Sequence, residues 1–127
     1  MSPKVEQAIA ELRASFPDCS IAVRDDNEGG AYVTVDGVSL GDGWSPSTTW
    51  VGFRITFQYP SADVYPHFVS QDLRRTNGAP LPPNMTACVF ETRSAYQVSR
   101  RSNRLNAALD TAALKLHKVV CWLKEQA

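Results

Sequence analysis

Cysteine, histidine and long apolar runs are all scarce in this chain. Cysteine occurs three times in 127 residues, at Cys19, Cys88 and Cys121, with no CxxC pair. An odd, scattered set supports neither a disulfide framework nor a zinc site, and it predicts reduced thiols in a cytoplasmic protein. Histidine occurs twice, at His67 and His117. No HExxH, P-loop, GxGxxG or metal-ligand cluster is present, so neither a metal nor another cofactor is expected. No apolar stretch approaches the roughly 18 to 20 residues that span a bilayer. The first sixteen residues, MSPKVEQAIAELRASF, lack a signal-peptide apolar core. No membrane partner is expected. Repeats, low-complexity tracts and linkers are also missing, and the length suits one domain, 1–127, with a single core.

Net charge is zero as well, yet it is unevenly spread. Residues 1–60 hold four Lys/Arg against eight Asp/Glu, and residues 61–127 hold nine against five. Asp25, Asp26 and Glu28 form an acidic corner; Arg93, Arg100, Arg101 and Arg104 form a basic segment with Glu91 as its one nearby acid. Such asymmetry steers an anionic partner, but without a motif it is too modest to predict nucleic-acid binding. Either those arginines dock a partner or they belong to a solvated loop.

What is present reads in order. Ser2-Pro3 starts a helix whose stripe is Val5, Ile9, Leu12 and Phe16. Residues 19–24 and 31–35 alternate as strands around the turn Asn27-Glu28-Gly29-Gly30. The strongest period-2 pattern is Val51, Phe53, Ile55 and Phe57. It runs into Tyr59-Pro60, crosses Ser61-Ala62-Asp63 and meets Tyr65-Pro66, where proline takes the chain out of the sheet. Tyr65 is expected to anchor this loop by packing, with its hydroxyl on the backbone. Residues 67–72 suit a fourth, shorter strand, 77–84 a Pro-rich loop, 85–91 a packed segment or short strand, and 93–103 a polar, mobile segment. Leu105, Leu109, Ala112, Leu116, Val120 and Leu123 predict a long final helix with lysines toward its C-terminal end. The fold class is α+β: an N-terminal helix, an antiparallel meander of three to four strands, an irregular Pro-rich region and a C-terminal helix.

The helix, the meander, the strand Phe53-Arg54-Ile55-Thr56-Phe57 and the steps Tyr59-Pro60 and Tyr65-Pro66 together resemble the ubiquitin-conjugating (E2, UBC-like) family. Compact bacterial E2-like proteins are the nearer likeness, with inactive E2 variants and RWD domains as relatives. That resemblance implies a carrier that accepts a ubiquitin-like modifier on a cysteine by transthiolation and passes it to an amine. Its implied partners are an E1-like activating enzyme, the ubiquitin-like protein and a deconjugating peptidase of the same pathway. By position after Pro83-Asn84, Cys88 corresponds to the thioester cysteine and Asn84 to the oxyanion donor, roles that suit a thiolate and a fixed amide. The family's histidine before Pro-Asn is Pro82-Pro83 here, and its Trp-Pro before the next helix is missing.

Read from residues alone, each candidate has a plainer alternative. Cys88 lies in Thr86-Ala87-Cys88-Val89-Phe90, where a packed, inert thiol is equally at home. Asn84 also suits a turn. His67 serves as a base or as an ordinary loop residue. Cys121 reads as core, Cys19 as structural and His117 as surface. The alternative function is a non-catalytic binding module on the same fold, with residues 93–104 as the contact.

Overall fold

The computed structural model describes all 127 residues. Helix α1 spans Pro3–Ser15, started by the Ser2 hydroxyl, which accepts from the Val5 N–H at 3.3 Å, and by proline in its first turn. It buries Val5, Ala8, Ile9 and Leu12. Strands β1 (Ser20–Asp25), β2 (Ala31–Ser39), β3 (Trp44–Ser45), β4 (Thr48–Ile55), β5 (His67–Ser70), β6 (Arg74–Arg75), β7 (Met85–Phe90) and β8 (Arg93–Val98) follow, then helix α2 (Ala112–Glu125). Six strands form one antiparallel sheet in the order β1-β2-β4-β5-β8-β7, and β3 with β6 forms a small separate ribbon. No helix is long and apolar enough to cross a membrane.

Register assigns the two faces. Val33, Val35, Val51, Phe53, Ile55, His67, Val69 and Val98 share one face, against which both helices pack. One apolar cluster joins that face to Leu12 of α1 and to Leu116 and Leu123 of α2. At 25 cal/mol per Å² or so, such burial is the main force holding the layers together. A bulge between Val35 and Val38, with Gly37 at φ +82, lets β2 turn while keeping both valines inside. The Tyr-Pro bridge is tied to α2 directly, since the buried Tyr59 hydroxyl accepts from the Ala112 N–H at 3.0 Å. The bonds 45–46, 59–60 and 65–66 are cis.

The outer face carries an aromatic roof. Phe90, at the tip of the β7–β8 hairpin, stacks on Phe68 (4.8 Å) and Trp50 (6.0 Å) and lies edge-on to Tyr32. It rests on Gly52, where an added Cβ would overlap its ring. Glu91, beside Phe90, pairs with Arg24 of β1 at 2.7 Å. The sheet therefore curls until the tip of its last hairpin meets its first strand.

The main sheet has six strands, not three or four, because Met85–Phe90 and Arg93–Val98 both join it, the latter inserted between β5 and β7 and not a mobile segment. Ala95 and Val98 are both fully buried but point to opposite faces, so no period-2 signal marks β8. Helix α2 starts at Ala112, with Leu105 and Leu109 outside it. Thr111 sets that start by accepting the Leu114 N–H at 3.1 Å, and Leu109 is left exposed. Cys121 is exposed, because the buried stripe runs through Leu116, Val119, Val120 and Leu123. Tyr59, not Tyr65, supplies the hydroxyl that bonds the backbone.

Candidate functional site

Cys88 sits in the regular edge strand β7, opposite Ala95 of β8 and on the outer face of the sheet. It is half-buried. Burial pushes its thiol above the ordinary value, and a backbone hydrogen bond at Gln97 opposes this without overcoming it. Asn84 precedes the same strand, four residues away, which in extended chain is roughly 13 Å. Its amide Nδ2 donates to the Ser99 carbonyl at 3.5 Å. The structure does not bring Asn84 and Cys88 together. His67 is on the opposite face, fully buried in the core and 5.0 Å from the Phe53 ring, so it reaches neither. Cys19 is half-buried with its Sγ 3.6 Å from the Gly37 carbonyl, and the exposed His117 stacks on Phe16 at 4.3 Å.

Three of the four predicted arginines do converge. The chain leaving β8 runs through Arg100, Arg101, Ser102, Asn103 and Arg104 to form the mouth of a cleft of about 390 Å³. The N-terminal half of α2, with Lys115, Lys118 and Val119, forms its other wall. The Arg101 guanidinium lies 4.1 Å over the Tyr65 ring, and that of Arg100 lies 5.2 Å over Trp122. Arg104 holds a left-handed backbone, φ +55, where the segment turns. Arg93 is elsewhere. It sits 4.9 Å over Trp50 on the outer face, among the roof residues.

Behind the cleft, and sharing Ser102 and Lys115 with its lining, lies a buried polar knot. Asp63, from the bridge between the two Tyr-Pro steps, accepts from the Ser102 N–H (2.7 Å), the Ser102 hydroxyl (2.8 Å) and Lys115 Nζ (3.1 and 3.2 Å). Lys115 Nζ also donates to Ser102 Oγ at 2.8 Å. Burial alone would raise the Asp63 carboxyl, but the bonds from Ser102 and Lys115 outweigh it and hold the group below its ordinary value. Lys115 is only 7% exposed, so the pair is a fixed part of the fold that pins the arginine segment to α2.

The charge balance of the cleft follows from these contacts. Lys115 is neutralised by Asp63, and Lys118 faces Asp110 at 3.8 Å. Arg100, Arg101 and Arg104 form no ion pair with any carboxylate of the chain. No three His, Cys, Asp or Glu side chains come together as a metal site. Sequence reasoning found the arginines but missed Asp63, Ser102 and Lys115. Lys115 did leave a trace, as a lysine on an otherwise apolar helical stripe. Compared with family models, curated proteins and solved structures, the chain matches none.

Proposed function

We propose that the chain is a non-catalytic, UBC-like protein-binding module that grips an acidic segment of a partner in the cleft of Arg100, Arg101 and Arg104. One observation carries this reading. Three guanidiniums stand at one cleft and none forms an ion pair, the carboxylate in the lining, Asp110, facing Lys118 instead, and two of the three lie over aromatic rings. A solvated loop would leave its arginines free to move, whereas stacking removes rotamer freedom in advance and so lowers the cost of binding. The finer fold assignment draws support from the helix, the antiparallel meander, the paired Tyr-Pro steps and the C-terminal helix packed on the same face. In the terms of that likeness, the partner is a component of a ubiquitin-like conjugation pathway.

The carrier reading has narrower support, in a Cys88 side chain that is not sealed from solvent. Against it stand a thiol shifted upward and an Asn84 amide engaged elsewhere. Two measurements separate the readings. In the first, the 15N-labelled chain is titrated with an Asp/Glu-rich peptide, and the module reading expects shifts confined to residues 100–104, 115 and 118 that fade with added salt. In the second, the chain is mixed with ATP, an E1-like enzyme and its ubiquitin-like protein. A reductant-sensitive adduct lost in Cys88→Ala but kept in Cys19→Ala and Cys121→Ala would replace the module reading with the carrier.

A further inference from the structure

We infer that the group held in the arginine cleft is a doubly charged phosphate ester, not a lone carboxylate; this rests on the module reading and specifies its ligand. Charge comes first. With Lys115 and Lys118 matched to Asp63 and Asp110, three cations remain unmatched. One carboxylate would neutralise one of them. A phosphate monoester carries roughly −1.5 to −2 charge at neutral pH and presents three strong acceptor oxygens.

Donor geometry comes second. Each guanidinium offers a planar fork that fits phosphate or carboxylate, and two of them lie over rings, Arg101 at 4.1 Å from Tyr65 and Arg100 at 5.2 Å from Trp122, contacts that hold them without using their N–H donors. Asn103, Asn106 and Ser102 add neutral polar groups to the lining, and its one carboxylate, Asp110, faces Lys118 at 3.8 Å and accepts from the Asn106 N–H at 2.7 Å. The apolar part is small, limited to Leu109 and Val119, so a wholly apolar ligand finds little to bury.

Size and rigidity come third. About 390 Å³ is the volume of a small-group site and not of an interface between folded surfaces. Its walls do not need to form on binding, because the Asp63–Ser102–Lys115 knot already joins the Tyr-Pro bridge, the arginine segment and α2. A ligand anion cannot simply take the place of Asp63, whose carboxylate is held by three donor groups behind the cleft. The ligand therefore meets the arginines from the open side.

The test uses the full 15N-labelled chain at pH 7.5 and low salt, with four probes. These are inorganic phosphate and three peptides of the form acetyl-Gly-X-Gly-amide, X being phosphoserine, glutamate or serine. Phosphoserine peptide is expected to shift the amides of residues 100–104 and 118 and to bind about tenfold more tightly than the glutamate peptide, one tenfold step being the loss of a single charge-assisted contact. Inorganic phosphate binding as tightly as the phosphoserine peptide would mark a free-anion site and overturn the ester assignment. Binding is expected to strengthen from pH 5 to pH 7, following the second phosphate ionisation near 6. Arg101→Gln should weaken phosphoserine binding about tenfold, and Arg101→Lys, which keeps charge but loses the fork, should restore only part of it. Unchanged spectra outside the cleft control for folding in both variants. Equal binding of glutamate and phosphoserine peptides would refute the phosphate inference while leaving the acidic-segment reading standing. No binding by any probe, or shifts away from the cleft, would overturn both.

Discussion

His67 makes the fold sensitive to pH well above the carboxylate range. The ring lies on β5 between Phe53 of β4 and Val98 of β8, fully buried, and neither of its nitrogens has a hydrogen-bond partner. Burial, with the nearby Lys115 charge adding to it and Asp63 opposing it, pushes its pKa down from 6.5 to about 3. The folded protein thus keeps the ring neutral where the unfolded chain protonates it. Between pH 6.5 and 3 the unfolded state binds more protons, so stability falls as pH falls and is level above about 7. Each pKa unit corresponds to about 1.4 kcal/mol, so the loss between pH 8 and pH 5 is about 2 kcal/mol, against a typical total of roughly 5 to 15. His67→Leu removes both the proton uptake and the two unpaired nitrogens while keeping a similar volume. Relief of an unsatisfied buried group, about 1 to 3 kcal/mol, exceeds the modest cost of reshaping. The variant should match or exceed the parent at pH 8 and exceed it by about 3 kcal/mol at pH 5. Urea unfolding followed by tryptophan fluorescence at both pH values measures this. A variant that loses as much stability as the parent between pH 8 and pH 5 would refute the assignment to His67.

Other contacts make separate predictions. Gly52→Ala should cost about 1 to 3 kcal/mol by driving the Phe90 ring off β4. Weakened protection of the β7–β8 amides in hydrogen exchange would trace the loss to the hairpin, and a neutral result would remove the roof from the account. Tyr59→Phe deletes the acceptor for the Ala112 N–H and should lower stability by about 1 kcal/mol in thermal unfolding. Lys115→Met leaves Asp63 with no cation in a largely buried site and should cost about 3 kcal/mol. Its amides at 100–104 should exchange faster than those of α1, a local effect that general destabilisation would not produce. Iodoacetamide at pH 7.5 should modify the exposed Cys121 before Cys88, whose thiol is both half-buried and shifted upward, with peptide mass spectrometry giving the order. Cys88 reacting first would restore the case for a nucleophile.

The fold was legible wherever one element faces one way. Val5, Ile9 and Leu12 announce α1 because only one side of that helix is buried. The alternation from Val51 to Ile55 announces β4 for the same reason, although Phe57, the next residue of the pattern, lies beyond the strand and is exposed. Strand β8 escaped because it is buried on both faces by a single residue each, Ala95 and Val98, amid polar neighbours. The start of α2 escaped because Leu105 and Leu109 fit the helical period, and only the Thr111 cap decides otherwise. The site was half-legible in the same way. Clustered arginines can be seen in a line of sequence, but the Asp63 contacts span 39 and 52 positions, and nothing local requires them.

The sheet separates residues that lie close in sequence. Cys88 and Arg93 belong to the outer face, beside the aromatic roof, while Arg100, Arg101 and Arg104 stand with α2 on the helix side. A developing oxyanion at a Cys88 thioester would receive no help from those guanidiniums, since electrostatic stabilisation of this kind requires donors within about 3 Å of the charge. The cleft, by contrast, has its cations, their aromatic supports and the knot that pins its walls within one chain. The proposed binding at the cleft therefore does not depend on Cys88, and Cys88→Ala should leave phosphoserine-peptide binding unchanged in the same titration, whereas a loss of binding would refute this separation.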